Sequence, residues 1–445
     1  MIVTLQTTRS KILMALLGLL FQMNGFAQSP KDSVLQAATL DNVVGYALTH
    51  QPAVKQAEVD EEIANKLIKG KLADWYPQIN FTYNYYRYLD LQSSIIGGNV
   101  VRFGVENTSS AQLTATQNIF NRDALLASST ASKVRIQAGQ NTSRSKIDVV
   151  VNVTKAFYDV LATMQQINVS QESIIRLERS LKDAKSRYTA GVADKTDYKR
   201  ATILLTNTRA SLKSNEELLK YKEEYLKTIM GYPSDLDLGI AYDSIAMEND
   251  VLIDTLQTLN YSQHIEYQIL YTQKELQEAN VKYSNWAFLP TLNAFGAYIL
   301  NYQNNSFSEL YNTRYPYSYV GATLAFPIFQ GGKRIAKVQE QKWASKRIDW
   351  GLANLRNAIS TEYTRALSSY KSNLALYLAQ KENVDLAKEV YDVIQLQYSN
   401  GIRAYLDVTI AETDLRTTKI NYFNALYAVL ASRMDVQRAL GQINY

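Results

Sequence analysis

Cysteine is missing from this chain of 445 residues, which excludes disulfides, thiol catalysis, thiolate metal sites and an acylated N-terminal cysteine. Histidine is nearly missing: His50 and His264 stand alone, with no second ligand at metal spacing, so neither a zinc site nor a histidine-based catalytic constellation is expected. Long apolar runs are missing beyond residue 27, where nothing uncharged approaches the ~20 residues of a membrane helix. A chain of this composition that crosses a bilayer does so as strands. Basic excess is small as well. The formal charge is +5, two units of it from Arg9 and Lys11, and such a balance spread over the whole chain is no nucleic-acid footprint. The one glycine-rich basic stretch, "FQGGKR" at 329–334, lacks the G-x-x-x-x-G-K-[ST] spacing of a phosphate loop. Gly331 and Gly332 read instead as the turn from a strand into a helix. No enzymatic activity, cofactor or metal is expected.

What is present starts with a leader. Arg9 and Lys11 precede the apolar run Ile12 to Phe21, and Gly25-Phe26-Ala27 offers a cleavage site before Gln28; residues 1–27 are expected to be a signal peptide and the remainder to be exported. The remainder repeats itself. "WYPQINFTYNY" (75–85) answers "FLPTLNAFGAY" (288–298) at an offset of 213, and "QNIF" (117–120) answers "FPIF" (326–329) at 209. "RYTAGVADKTDYKRA" (187–201) answers "QYSNGIRAYLDVTIA" (397–411) at 210, and Gly231 answers Gly441 at the same spacing. Four landmarks in constant order describe two copies of one unit, expected at 28–240 and 241–445, rather than two different domains.

Each unit reads as a short helical lead, two strands, a very long helix, a turn and a return helix. Strands are expected near 78–88 and 110–120 in the first unit and near 290–302 and 317–329 in the second. Ile79, Phe81, Tyr83 and Tyr85 alternate with Asn80, Thr82 and Asn84; Leu113, Ala115 and Ile119 alternate with Gln112, Thr114, Thr116 and Asn118, the period of a sheet with one apolar and one polar face. Val320, Ala322, Leu324 and Phe326 continue the theme. About ten residues cross a bilayer when tilted, and the tyrosines crowding the strand ends suit headgroup level. A soluble four-stranded sheet with aromatic cross-strand pairs fits the strand pattern equally. Residues 89–109 and 303–316 are expected as loops, each joining the strands of one hairpin.

The helices weigh against the soluble reading. Long helices are expected near 121–189 and 332–398, with return helices near 194–230 and 404–440. No proline interrupts Gly332 to Tyr398, and at ~1.5 Å per residue this stretch makes a rod of about 100 Å. Its apolar stripe, Ile348, Leu352, Leu355, Ile359, Tyr363, Ala366, Tyr370, Leu374 and Tyr377, steps with an 11-residue repeat; Val149, Val153, Ala156, Val160, Met164 and Ile167 keep the same beat in the first unit. That period lays helices side by side nearly straight, as staves, where a heptad would coil them. Four strands cannot close a barrel, and an open edge cannot face lipid, so membrane strands here require oligomerisation.

On these features the chain resembles the TolC family of outer-membrane factors, the exit ducts of tripartite efflux pumps and type I secretion systems. The resemblance covers essentially the whole chain after the leader. It implies a mainly α fold with membrane β, in which a tandem-repeat protomer gives four strands of a trimeric 12-stranded β-barrel, and long α-helices form a periplasmic α-barrel tunnel. It implies a homotrimer in the outer membrane of a Gram-negative bacterium, working with a periplasmic adaptor and an inner-membrane pump of RND or ABC type. The two loops would then lie outside the cell. A periplasmic coiled-coil adaptor that never enters a membrane is the competing class, although it has no need of alternating strands at one end of every long helix. The resemblance also implies a gate at the helical tip, where Gly191 and Gly401 would end the long helices in left-handed conformation. The family's polar links there map onto Tyr398, Arg403 and Asp407 in the second turn and onto Thr196 and Asp197 in the first. Asp407 would form one acidic ring; the position expected to carry a second ring is Ile410. Solvated helix N-terminal charge is the plain alternative for Asp197 and Asp407.

Overall fold

A computed structural model describes Leu35 and residues 37–445 apart from residue 243; the expected signal peptide lies outside the described residues. The first repeat runs α1 (Leu40–His50), α2 (Pro52–Leu72), β1 (Gln78–Arg87), β2 (Ser93–Ile96), β3 (Asn99–Arg102), β4 (Asn107–Phe120), α3 (Arg122–Thr189) and α4 (Lys195–Met230). The second runs α5 (Ser244–Asn249), α6 (Ile265–Asn285), β5 (Thr291–Asn304), β6 (Arg314–Ala325), α7 (Lys333–Ser399) and α8 (Tyr405–Leu440). With 68 and 67 residues, α3 and α7 each extend for about 100 Å. The strands sit at one end of these rods and the two turns into α4 and α8 at the other.

The sheet is antiparallel in the order β1-β4-β5-β6, so β1 and β6 are its open edges. Directly opposed residues project to the same side, and the register aligns Ile79, Ala115, Gly296 and Val320, then Phe81, Leu113, Tyr298 and Ser318. Asn80, Thr114, Ala297 and Tyr319 form a row of the opposite face. The apolar alternation of β1, β4 and β6 thus lies on one surface, whereas in β5 Phe295 and Ile299 lie on the opposite face. The tyrosines are not one belt: Tyr83, Tyr85 and Tyr302 share the apolar face, whereas Tyr315, Tyr317 and Tyr319 lie on the polar one. Loop 305–313 folds back over the first group, with Tyr83 Oη 2.7 Å from Tyr311 Oη and Phe307 edge-on to Tyr85. The loop at 89–109 is not wholly irregular, because β2 and β3 pair as a small hairpin across Gly97 and Gly98.

β6 ends at Ala325, short of the expected bound at 329. Its residues Arg314–Ala325 already match β5 from end to end, and no strand among the described residues pairs with Phe326–Phe329; Ile328 is 86% exposed and Phe329 is 87% exposed.

Helix packing makes a wall rather than a ball. α3 is flanked by α2 and α4 on one side and by α6 and α8 on the other, whereas α7 packs on α6 and α8 and leaves its far flank bare. Trp343, Trp350, Val390 and Leu396 of α7 are exposed, as are Ile203, Tyr221 and Tyr225 of α4 and Val59, Ile63 and Leu67 of α2. A helix in such a wall buries two narrow stripes, one against each neighbour. The thick core lies at mid-height, where α1 and the segments after α4 wrap the rods around Phe157, Leu161, Leu226, Met230, Tyr370, Leu426 and Leu430. There Glu248 of α5 accepts from Tyr422 at 2.7 Å and from Lys381 at 2.5 Å, pinning the strap to α7 and α8.

The same level shows how each short stave is built. The end of α4 abuts the start of α2, and the end of α8 abuts the start of α6. Gly231, at φ 71°, would place a Cβ 2.8 Å from the His50 carbonyl oxygen; Gly441, at φ 70°, would place one 2.6 Å from that of Gln263. Gly441→Ala therefore combines a left-handed cost of roughly 1–2 kcal/mol with a backbone collision. Thermal unfolding should show a marked drop in midpoint for Gly441→Ala. Gly45→Ala, on an open helical surface with nothing within 4 Å, should leave it level or raise it.

Candidate functional site

The tip is where the sequence placed its site residues. Each long helix ends in the same i→i+5 cap: Val192 N donates to Arg187 O at 3.0 Å and Ile402 N to Gln397 O at 2.9 Å. Such a cap needs a left-handed residue, supplied by Gly191 at φ 78° and Gly401 at φ 77°. The following helices start differently. Asp194 caps α4 by accepting from Thr196 N at 2.6 Å, and that bond holds its carboxyl below the usual carboxylate range. Ala404 stands at the same position before α8, with no side-chain cap.

Tyr398 is buried, its ring edge-on to Tyr405 and beneath the Arg187 guanidinium at 4.8 Å. Arg187 also donates to Ser399 O at 2.9 Å and to Asp183 at 3.2 Å, so one side chain ties the first turn to the second. Burial pushes the Tyr398 phenol up to about 12; Asp183 and Asp197 push the same way and Arg187 opposes them. Its Oη has no hydrogen-bond partner within the described chain. Arg403 is exposed, donating to Gln397 Oε1 at 3.1 Å and lying 3.7 Å from Asp407. Thr196 is exposed, while partly buried Asp197 has its carboxyl raised, first by that burial and then by Asp194. The five expected residues therefore gather at one end of the molecule, and Asp197 is felt at Tyr398. No hydrogen bond within the chain joins Tyr398 or Arg403 to Thr196 or Asp197 among the described residues.

About 20 Å above the tip, at helical rise, lies a contact that motif reading missed. Glu412 of α8 is 2% exposed and accepts twice from Arg176 of α3, at 2.9 and 3.1 Å, and once from Ser173 at 2.6 Å. Burial lowers the Arg176 pKa, but the Glu412 bonds outweigh it and the net shift is upward. A signal for it exists in the sequence: Glu412 falls on the buried stripe Tyr405, Val408, Glu412, Leu415 of α8, where a charge demands a partner. Arg187 stood inside the repeated stretch but differs from its counterpart Gln397, and comparing the turns for differences would have found it. The arrangement is a latch of aromatic packing and paired charge holding two helical hairpins together.

Comparison with known proteins follows the same outline. The sequence pattern of the family described as "Outer membrane efflux protein" matches residues 43–232 and 271–442. Outer membrane protein TolC of Escherichia coli (strain K12) is 22% identical over 450 residues, covering 98% of this chain and 87% of the relative. A crystal structure of a membrane protein from Pseudomonas aeruginosa superposes with a TM-score of 0.76 at 19% identity, covering 93% of this chain and 94% of the other. The open state of the Neisseria gonorrhoeae MtrE outer membrane channel gives a TM-score of 0.72 at 17% identity, over 90% of this chain and 88% of that one.

A buried ion pair tolerates replacement better than division. Glu412→Ala should destabilise the folded chain by about 1–3 kcal/mol by removing the main partner of the Arg176 cation, whereas Arg176→Met with Glu412→Leu should lie near the parent. Denaturant midpoints of the three proteins check this, and equal losses in both variants would contradict it.

Proposed function

This chain belongs to the outer membrane efflux protein family, and from that membership we propose that three copies close into one passive exit duct, the last segment of a tripartite efflux pump or a type I secretion system. The duct stands in the outer membrane of a Gram-negative bacterium, with its helices in the periplasm. The observation that carries the reading is that every layer of the wall is open on two sides. The sheet stops at β1 and β6, and the helical wall stops at α7 on one flank and at α2 and α4 on the other. An open sheet edge in hydrocarbon costs several kcal/mol for each unpaired group.

The internal repeat supplies the closing contact. Within one chain β4 meets β5, and α3 meets α6 and α8; between chains β6 meets the next β1, and α7 meets the next α2 and α4. Four strands per chain then give twelve around the ring. The face of Ile79, Phe81, Leu113 and Val320 turns to lipid and that of Asn80, Thr82, Gln112 and Thr114 to the lumen. A periplasmic adaptor without membrane insertion has no use for this division of faces and is set aside. A periplasmic adaptor and an inner-membrane pump are instead the partners that deliver and select cargo. Mass measurement of the detergent-solubilised protein should give three chains; a monomer would overturn the proposal.

The tip is the gate in this reading. Thr196, Asp197, Tyr398, Arg403 and Asp407 form its polar links and Gly191 and Gly401 its turns, with Asp407 repeated around the axis as a single acidic ring. The Tyr398 hydroxyl is buried with no hydrogen-bond partner among the described residues, so a link through it forms only when the tip rearranges. Such links contribute about 0.5–1.5 kcal/mol each, and threefold symmetry multiplies them into a substantial bias on a two-state gate. Single-channel conductance in a planar bilayer should rise for Tyr398→Phe with Arg403→Ser, and Asp407→Ala should weaken cation preference at low salt. Unchanged conductance with normal trimer yield would place the constriction elsewhere.

The loops at 89–109 and 303–316 face the outside in this topology. Epitopes inserted beside Gly98 and beside Ser308 should be labelled by antibody on intact cells, and labelling only after outer-membrane permeabilisation would reverse the orientation.

A further inference from the structure

Resting on the trimeric reading above, we infer that neighbouring chains join in one fixed strand register, with Val320–Phe329 of one chain antiparallel to Ile79–Arg87 of the next, and that Phe326–Phe329 become strand only there. The register follows from the repeat offsets, which the structure obeys residue for residue. Advancing β1 by 213 and β4 by 209 turns the pair Gln78↔Thr116 into Thr291↔Ala325, and Tyr85↔Ser109 into Tyr298↔Ser318; both are pairs of the β5–β6 hairpin. The offsets measured in sequence are therefore structural equivalences. Applied to the seam between repeats, they convert each β4–β5 pair into a β6–β1 pair between chains. Ala115↔Gly296 becomes Leu324↔Tyr83, Thr114↔Ala297 becomes Thr323↔Asn84, and Gln117↔Ala294 becomes Phe326↔Phe81. Past the bulge at Asn118 and Phe120, Phe120↔Leu292 becomes Phe329↔Ile79.

The same mapping explains the loose end of β6. In β4, residues Gln117, Asn118 and Phe120 pair with β5 alone, since the β1 ladder stops at Thr116. Their counterparts Phe326, Pro327 and Phe329 correspondingly have no strand partner among the described residues. The intended partner strand is exposed too: Ile79 and Phe81 are each 68% accessible. Pro327, which lacks an amide hydrogen, falls beside the bulge, where a strand tolerates it. The register also keeps the two faces unbroken across the seam. Leu324 and Phe326 meet Tyr83 and Phe81 on the apolar side, while Thr323 meets Asn84 on the polar side. A slip of one residue would interchange the faces. Slips of two preserve them, and the repeat geometry selects among these.

Because the chain has no cysteine, the test is free of background. Opposed pairs alternate between close and wide Cα spacing from one residue to the next, so one pair is taken from each face: Leu324→Cys with Tyr83→Cys, and Thr323→Cys with Asn84→Cys. Membranes are oxidised and run without reductant. At least one of these variants should form linked dimers and trimers at roughly ten times the yield of its neighbours shifted by two residues, in which Leu324→Cys faces Phe81→Cys or Tyr85→Cys and Thr323→Cys faces Thr82→Cys or Tyr86→Cys. Preferential linking of a shifted pair would overturn the register. So would the absence of linking in every pair while solubilised mass still reports three chains. A monomeric mass would instead remove the trimer on which the register rests.

Discussion

An amide or carbonyl at the edge of a sheet facing hydrocarbon has no water to bond, and the arrangement of this molecule is a response to that restriction. Two strands per repeat and two repeats per chain leave β1 and β6 unsatisfied outward, so the fold is complete only as part of a ring. The helices carry the same incompleteness away from the membrane. Each rod is flanked rather than surrounded, and the bare flanks of α7, α4 and α2 continue downward from the bare strand edges. A single closure thus has to satisfy backbone groups at one end and side-chain packing along the rest.

A wall one helix thick also decides how the apolar residues are spread along so large a chain. Inner and outer faces of every stave meet water, which leaves two thin stripes for packing. The chain departs from this economy at mid-height, where α1 and α5 wrap the rods and buried side chains cluster. Leu226 and Met230 stand at the joint where α4 abuts α2, and Val436 and Leu440 at the joint where α8 abuts α6, all of them buried, with Gly231 and Gly441 admitting the backbone contact. Two segmented staves alongside two unbroken ones put stiffness in α3 and α7 and leave the joints near the belt.

Much of this was legible without coordinates, because repetition and period survive in sequence. Val153, Val160, Ile359, Ala366 and Tyr370 were identified as stripe residues by their 11-residue beat and are buried; the left-handed glycines of both turns followed from their place after a long helix. What escaped depended on relations between distant segments. That Tyr315, Tyr317 and Tyr319 lie opposite the face of Tyr83 is a matter of register, which alternation within one strand cannot fix. The β2–β3 hairpin is four residues a side, too short for a period to declare itself. Arg176 and Glu412 stand 236 residues apart, and only burial of a charge on an otherwise apolar stripe hinted that they meet.

The two repeats have not stayed identical where it matters most. Positions equivalent under the 210-residue shift read Asp194 and Ala404, Arg187 and Gln397, Arg176 and Leu386, Thr202 and Glu412, so the seam inside a chain carries an ion pair whose counterpart between chains would be leucine against threonine. A ring of six separate one-repeat chains could change a contact only at all six places together. Joining two repeats in one polypeptide lets alternate seams diverge, so that in the proposed threefold ring three seams carry the Arg176–Glu412 pair and the three between them do not.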